Sequence, residues 1–465
     1  MMSLSRFSQN LFIAFAIFLM SLPALPHSFD AADKVDEDIR RYDGYITSAL
    51  SGAKYYFPQE TEYLVLVIDN SGSMHHYSWS ALNALVQKVL ETFPKLKGFR
   101  IFNHIGEEID INPDGKWLSN TSNQKRKALD RLRSWHSSNN SSILSGLIHT
   151  LNSLNENEEN ISVFLMGDEE TTEDWDSIAT KIDAISSIIK TQTATVKIHA
   201  IGFPVQFFRP STLQATGVRY AAAAREVAVS SGGVFIGLNS STVNNPTPQK
   251  ANVSHKPGLA QRIVTLLDTS QSMQPAGSVL RPPYGTAVKK GMLIDERLAQ
   301  AQQAVLQVVD SLPMGSRFQL YTFDQESHPL LPQSAREWLN LPSPGAKVQI
   351  AKALSNITAA GPKNFESAIL GLSRISPPPD RVILITDGLP NMGVESGYLG
   401  VATSNKARFR LLRAAEERLP EDISLQIIQV SLDGTPFSAS EFWRMTTFRD
   451  GSFLSVPDHV VKSRP

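Results

Sequence analysis

Apolar residues in this chain come in short dense runs of strand length, separated by stretches of helical period. The first set of runs is YLVLVID (63–69), FRIFNH (99–104), ISVFLMG (161–167), VKIHAIGF (196–203) and GVFIGL (233–238). A second set follows: RIVTLLD (262–268), RFQLYTFD (317–324), RVILITD (381–387), SLQIIQVSL (424–432) and GSFLSV (451–456). Near-continuous apolar runs predict strands covered on both faces. Helical spacing predicts helices over 79–93, 122–134, 142–154, 175–189 and 218–230, then over 295–311, 347–357, 365–374, 404–418 and 438–446. Strands alternating with helices predict an α/β fold of doubly wound, mostly parallel sheets. The same order of parts occurs twice, and KVDEDIRRYDGYITSAL (34–50) reads as a short helix ahead of the first strand.

The polar stretch 239–258, rich in Asn, Ser and Pro, reads as an interdomain linker. The expected organisation is a signal peptide at 1–28, a helical segment at 29–57, a first domain at 58–245, a linker at 246–258 and a second domain at 259–460. The second half also carries an insertion at 274–293 with no counterpart in the first, read as a long surface loop or a lid.

At the start of the chain Arg6 precedes ten apolar residues at 11–20 and a small-residue exit, SLPALPHSFDA. That is the layout of a secretory signal, with an uncleaved anchor over 11–25 as the alternative. The apolar core is short of the ~20 residues a spanning helix needs, and the mature chain is expected to have no membrane span. There is no cysteine among the 465 residues. Export without disulfides points to a bacterial periplasmic or secreted protein. With 44 basic and 45 acidic residues the chain has no electrostatic footprint for nucleic acid.

Two of the apolar runs end alike, in LVLVIDNSGSM (64–74) and IVTLLDTSQSM (263–273). Each sets one carboxylate and two hydroxyls at alternate positions where a strand turns into a loop. Hard oxygen donors of this kind suit Mg²⁺, Mn²⁺ or Ca²⁺. Ligands of doubly wound sheets gather at the carboxyl ends of strands, where Asp69, Asp168, Asp268 and Asp387 all fall.

With those motifs, both halves resemble von Willebrand factor type A (VWA) domains, over roughly 58–245 and 258–460. The resemblance implies a Rossmann-like fold and a metal-ion-dependent adhesion site. That site uses Asp-x-Ser-x-Ser, a Thr from a second loop and an Asp from a third. In the first half it implies Asp69, Ser71, Ser73, Ser141 in the Thr position (Ser142 with a one-residue slip) and Asp168. In the second it implies Asp268, Ser270, Ser272 and Asp387, but the register aligns KNFESAI with SSILSGL, and Lys363 stands where a hydroxyl belongs. A protonated lysine has no lone pair for a metal. The expectation is that Lys363 replaces the cation between the two aspartates, the alternative being that it faces solvent and Thr358 or a water fills the gap.

No phosphate loop, His-Glu-x-x-His or nucleophile elbow is present in the sequence. The expected function is therefore non-enzymatic: the first domain holds a divalent cation that bridges to a carboxylate on a protein partner. A metal-dependent hydrolase drawing on His75, His76, Glu169 and Glu170, and a purely structural scaffold, are the alternatives. The acids of GDEETTED (167–174) read as a solvated rim, and Trp135, Trp175 and Trp443 as core or groove residues.

Overall fold

The strand runs are covered on both faces: every residue of β2 (Gly98–Asn103) is buried, with Arg100 and Asn103 hydrogen-bonded to Glu108 and Glu107, as are all but the first of β1 (Tyr63–Ile68). The computed structural model describes residues 42–457, apart from 112–115, 139–141, 155–158, 245–260, 275–295, 332–337, 342, 395–400, 403 and 434. After β1 and β2 the first half continues with β3 (Leu118–Ser119), β4 (Asn160–Gly167), β5 (Thr195–Gly202) and β6 (Phe235–Gly237). The second half holds β7 (Arg262–Asp268), β8 (Ser316–Phe323), β9 (Ser327–Pro329), β10 (Leu339–Leu341), β11 (Arg381–Gly388), β12 (Ser424–Asp433) and β13 (Phe453–Val456). The α/β fold is as expected, with helices flanking a mostly parallel sheet. The short edge strands β3, β9 and β10 lacked a periodic signal.

The sheet order is β3-β2-β1-β4-β5-β6 in the first half and β10-β8-β7-β11-β12-β13 in the second, so the two halves repeat one winding. In each, the chain leaves the first strand in one direction and returns on its other side, between β1 and β4 and between β7 and β11. These are the topological switch points at which doubly wound sheets bind ligands.

The expected pair of sheets is joined into one. β13 pairs antiparallel with β6, giving a single 13-stranded sheet. Each half ends in a short strand with an open edge, and pairing removes both edges at once. Because β6 runs parallel to its own half and β13 to the other, the strands of the two halves point in opposite directions. The carboxyl ends of β1 and β4 therefore lie on one edge of the sheet and those of β7 and β11 on the opposite edge.

Side chains reinforce the junction. Trp443, on the helix Ser438–Thr447, is fully buried and donates Nε1–H to the Leu238 carbonyl at 2.8 Å. Its ring occupies the space above Gly202 and Gly237, where a Cβ would stand 2.4 Å from it. Arg225, on the helix Ser211–Ser230, donates to Ser455 Oγ at 3.1 Å. Trp175 meets Phe437 with ring centroids 5.0 Å apart. Trp443 is thus a core residue, and Trp175 packs between halves.

A helix over 42–53 lies ahead of the first strand, with Tyr42, Ile46, Leu50 and Ala53 buried at helical spacing. Just beyond it Phe57 inserts against Phe164 and His199, with centroids 5.6 and 5.1 Å away. Among the described residues no helix is long and apolar enough to cross a membrane. The expected signal region, the linker 246–258 and the insertion from 275 to 293 lie outside the described residues.

Candidate metal-binding sites

Asp69 follows β1 directly, and the loop after it folds back at once. The Ser71 amide donates to Asp69 Oδ1 at 2.9 Å, and the Ser71 and Ser73 hydroxyls meet at 3.0 Å. Ser73 Oγ then donates to Asp168 Oδ1 at 3.3 Å, from the end of the neighbouring strand β4. Met74, the next residue, is fully buried in the short helix Gly72–Tyr77 and anchors the loop. Gly167 leaves the room Asp69 needs: a Cβ there would stand 2.9 Å from Asp69 Cβ and 3.0 Å from Ile143 Cδ1. The structure brings Asp69, Ser71, Ser73 and Asp168 together.

Ser141 lies outside the described residues. The register of its loop is nonetheless legible from a matched pair of hydrogen bonds. Ser138 N–H donates to the Asn70 carbonyl at 3.1 Å, and Ala360 N–H to the Thr269 carbonyl at 2.8 Å. Asn70 and Thr269 each follow the first aspartate, so Ser138 and Ala360 are equivalent. Three residues on, the sequence reaches Ser141 in one half and Lys363 in the other, and the next helices begin in step at Ile143 and Phe365.

Both first-half carboxylates are fully buried. Burial, then the charges of Asp69 and Glu169, push the Asp168 carboxyl well above the ordinary carboxylate range, against the opposing hydrogen bonds from Gln206 and Ser73. Gln206 Nε2 donates to Asp168 Oδ2 at 2.7 Å and to Glu169 Oε2 at 3.2 Å. His104, buried at the end of β2, places Nδ1 3.7 Å from Asp69 Oδ1, and its Nε2 lies 3.3 Å from Ser138 Oγ. Neither residue was expected at the site from the sequence. His104 was visible as the last letter of an apolar run, but Gln206, in the turn after β5, carries no local signal.

The rest of the rim has other work. Glu170 Oε2 accepts the Leu144 amide at 3.3 Å, and Oε1 accepts the Thr172 amide and hydroxyl at 3.0 and 2.6 Å, which ties up its carboxylate. His75 stacks on Trp79 at 3.8 Å between centroids. Burial first, then His76, hold the His75 pKa below its usual value. Trp135 is half-buried.

The second half repeats the backbone and changes the charges. The Ser270 amide donates to Asp268 Oδ1 at 2.9 Å, the Ser270 and Ser272 hydroxyls meet at 3.2 Å, and Ser272 donates to Asp387 Oδ1 at 3.1 Å. Lys363 is almost fully buried, with Nζ 3.1 Å from Asp268 Oδ2 and also donating to Asp387 Oδ1. Thr358 is exposed. Arg297, opening the helix Glu296–Ser311, reaches Asp387 Oδ2 at 3.3 Å, the oxygen whose counterpart in the first half faces Gln206. Thr386 takes the place of Gly167 and donates Oγ1–H to Asp268 Oδ2 at 2.6 Å.

The two donor sets therefore differ in what they accept. Among the described residues no cluster of three or more His, Cys, Asp and Glu side chains is arranged around a metal position, so a cation would rest on two carboxylates and hydroxyls. In the first half, two crowded carboxylates among hydroxyls and a carboxamide fit a hard divalent ion. In the second, two ammonium or guanidinium groups already sit on the same two carboxylates, and the residues do not fit a metal.

The alternation, the winding and the switch points place both halves in the class of doubly wound α/β domains. Residues 62–210 and 263–389 each match the von Willebrand factor type A domain, and the chain is a tandem VWA protein. No curated protein matches the chain. Among solved structures, it is similar to a von Willebrand factor type A protein from Catenulispora acidiphila at 14% identity and a TM-score of 0.26. That match covers 41% of this chain and 42% of the other, so the chain spans less than half the length of that relative. The conserved hypothetical protein BatB from Bacteroides thetaiotaomicron matches at 15% identity and a TM-score of 0.26, over 43% of this chain and 91% of its own. The PilB minor pilin from Streptococcus sanguinis matches at 14% identity and a TM-score of 0.30, over 43% and 58%.

Proposed function

We propose that the protein is an exported, non-enzymatic binding protein of a bacterial envelope whose first half holds one divalent cation, Mg²⁺, Mn²⁺ or Ca²⁺. Asp69, Ser71, Ser73, Ser141 and Asp168 would hold it, and its remaining coordination positions would take a carboxylate from a protein partner. When bound, the ion supplies the positive charge that attracts that carboxylate. The chain's own part is to orient the donors: the Ser71 amide fixes Asp69 Oδ1, and Gln206 fixes Asp168 Oδ2.

The observation that supports this most is electrostatic. Asp168 is buried beside Asp69 and Glu169, its partners are the neutral donors Ser73 and Gln206, and its affinity for a proton is raised accordingly. Two buried carboxylates this close, held by neutral donors, favour a cation between them. In the second half Lys363 and Arg297 supply that charge internally, so that half would keep the fold of the site without its metal. One cation per chain is the expected stoichiometry.

Titration calorimetry of the full chain with Mn²⁺, paired with envelope pull-downs in Mg²⁺ and in EDTA, tests the reading. One cation should bind, and Asp69→Ala should weaken its binding about 100-fold or more and abolish partner capture. Equal capture by Asp69→Ala in EDTA sinks the metal bridge, and two cations per chain sink the assignment of the second half.

A further inference from the structure

The two halves also differ on a sheet face far from either aspartate pair. Ser162 and Phe164 stand six and four residues before Asp168; Arg381 and Ile383 stand six and four before Asp387. In the first half this position is closed. Ser162 shares a 2.7 Å hydrogen bond with Thr61, and Phe57 packs on Phe164. In the second half it is a cavity of about 350 Å³ between the helix 42–53, the helix Glu296–Ser311 and the sheet. That volume lies near the lower end of small-molecule sites, ~300–1,000 Å³.

The cavity wall combines an apolar floor with unused donors. Ile383, Ile428 and Leu454 form the floor, and Arg381, Tyr56 and Gln426 line it. Among the described residues no hydrogen bond or ion pair holds the Arg381 guanidinium or the Tyr56 hydroxyl, although Asp450 lies near enough to act on Arg381 electrostatically. Burial lowers the Arg381 pKa, with Asp450 opposing, and burial raises that of Tyr56. Neither group is among the sealed-off polar atoms of the described residues, so both stay accessible from the cavity and can turn their N–H and O–H donors to a ligand in place of water.

We infer that this cavity binds a small monocarboxylate with an apolar body, its carboxylate on Arg381 and Tyr56 and its body on Ile383, Ile428 and Leu454. A single guanidinium pairs a carboxylate through two parallel hydrogen bonds. Asp43 in the wall and Asp450 close to Arg381 weigh against a dianion such as phosphate. An aromatic or medium-chain acid meets both conditions. The site is independent of the metal reading, since Arg381 opens β11 at the end opposite to Asp387.

Calorimetry and thermal shift on the full chain, with octanoate and benzoate as probes and octanol and inorganic phosphate as controls, test this. At least one acid should bind and raise the melting temperature, in EDTA as well as in Mg²⁺. Arg381→Met should weaken it about tenfold or more, and Tyr56→Phe by a smaller factor. Gln307→Trp, which fills the cavity from the helix side and leaves Arg381 intact, should block binding and covers the case in which Arg381→Met does not fold. Failure of both acids to bind overturns the inference. So does octanol or phosphate binding as well as the acids, or a folded Arg381→Met or Gln307→Trp that binds like the parent.

Discussion

The two halves solve one electrostatic problem in two ways. Each buries a pair of aspartates at a switch point, held by the same amide and the same two hydroxyls. The first half leaves Asp168 among neutral donors, and its carboxyl holds its proton far above the usual range. The second half closes the circuit with Lys363, Arg297 and the Thr386 hydroxyl. The lesson is that an intact Asp-x-Ser-x-Ser motif says little about metal binding by itself. What the neighbouring strands and loops supply as counter-charge decides it.

The comparison breaks most visibly at Lys363. Lys363→Met leaves Asp268 and Asp387 buried with Arg297 alone, and removing one partner of a buried pair costs roughly 3–5 kcal/mol. Urea unfolding should show that loss. Lys363→Thr should show a similar loss in EDTA that added Mg²⁺ partly restores. Next, Asp69→Ala should lower cation affinity in the first half about 100-fold or more, roughly 2.7 kcal/mol, while Asp268→Ala leaves it unchanged; calorimetry with Mn²⁺ reads both. A smaller effect comes from giving the first half the second half's residue. Gly167→Thr crowds Asp69, for an overpacking cost of about 1–3 kcal/mol, and should weaken the cation further in the same titration.

The smallest effects are those of pH. The folded-state pKa of Asp168 is raised above its ordinary 3.8, so the folded metal-free protein binds a proton that the unfolded chain releases. Its contribution to stability is therefore favourable at low pH and is lost as pH rises from about 4 through the raised value. A cation displaces that proton, and the stabilisation by Mg²⁺ should grow over the same window, as thermal melts at stepped pH would show. His199 runs the other way. Buried between Phe57 and Phe164, its pKa is lowered to about 3. Stability it provides is present above 6.5 and lost as pH falls from there toward 3, so His199→Gln should flatten the acid limb of the unfolding curve.

Much of this was legible in the sequence because it is local. The strand runs, the motif that ends two of them, and the lysine in the second loop are all read within a dozen residues. The junction was not legible, because β6 and β13 are short runs some 215 residues apart that a pattern reading places in separate domains. Gln206 and Arg297 reach their aspartates from distant turns and helices, so spacing could not reveal them. The helix Gly72–Tyr77 was hidden for another reason: it is built from motif residues that read as loop.

The antiparallel junction has a mechanical consequence. A load pulling the two switch points apart runs obliquely, with one component along the strands, because the points lie at opposite strand ends, and one across them, because β5, β6, β13 and β12 lie between. The component along the strands shears the ladder Phe453–Gly237, Leu454–Ile236 and Ser455–Phe235, straining its bonds together. Trp443, seated over Gly202 and Gly237, stands across that slip plane like a key in a shaft.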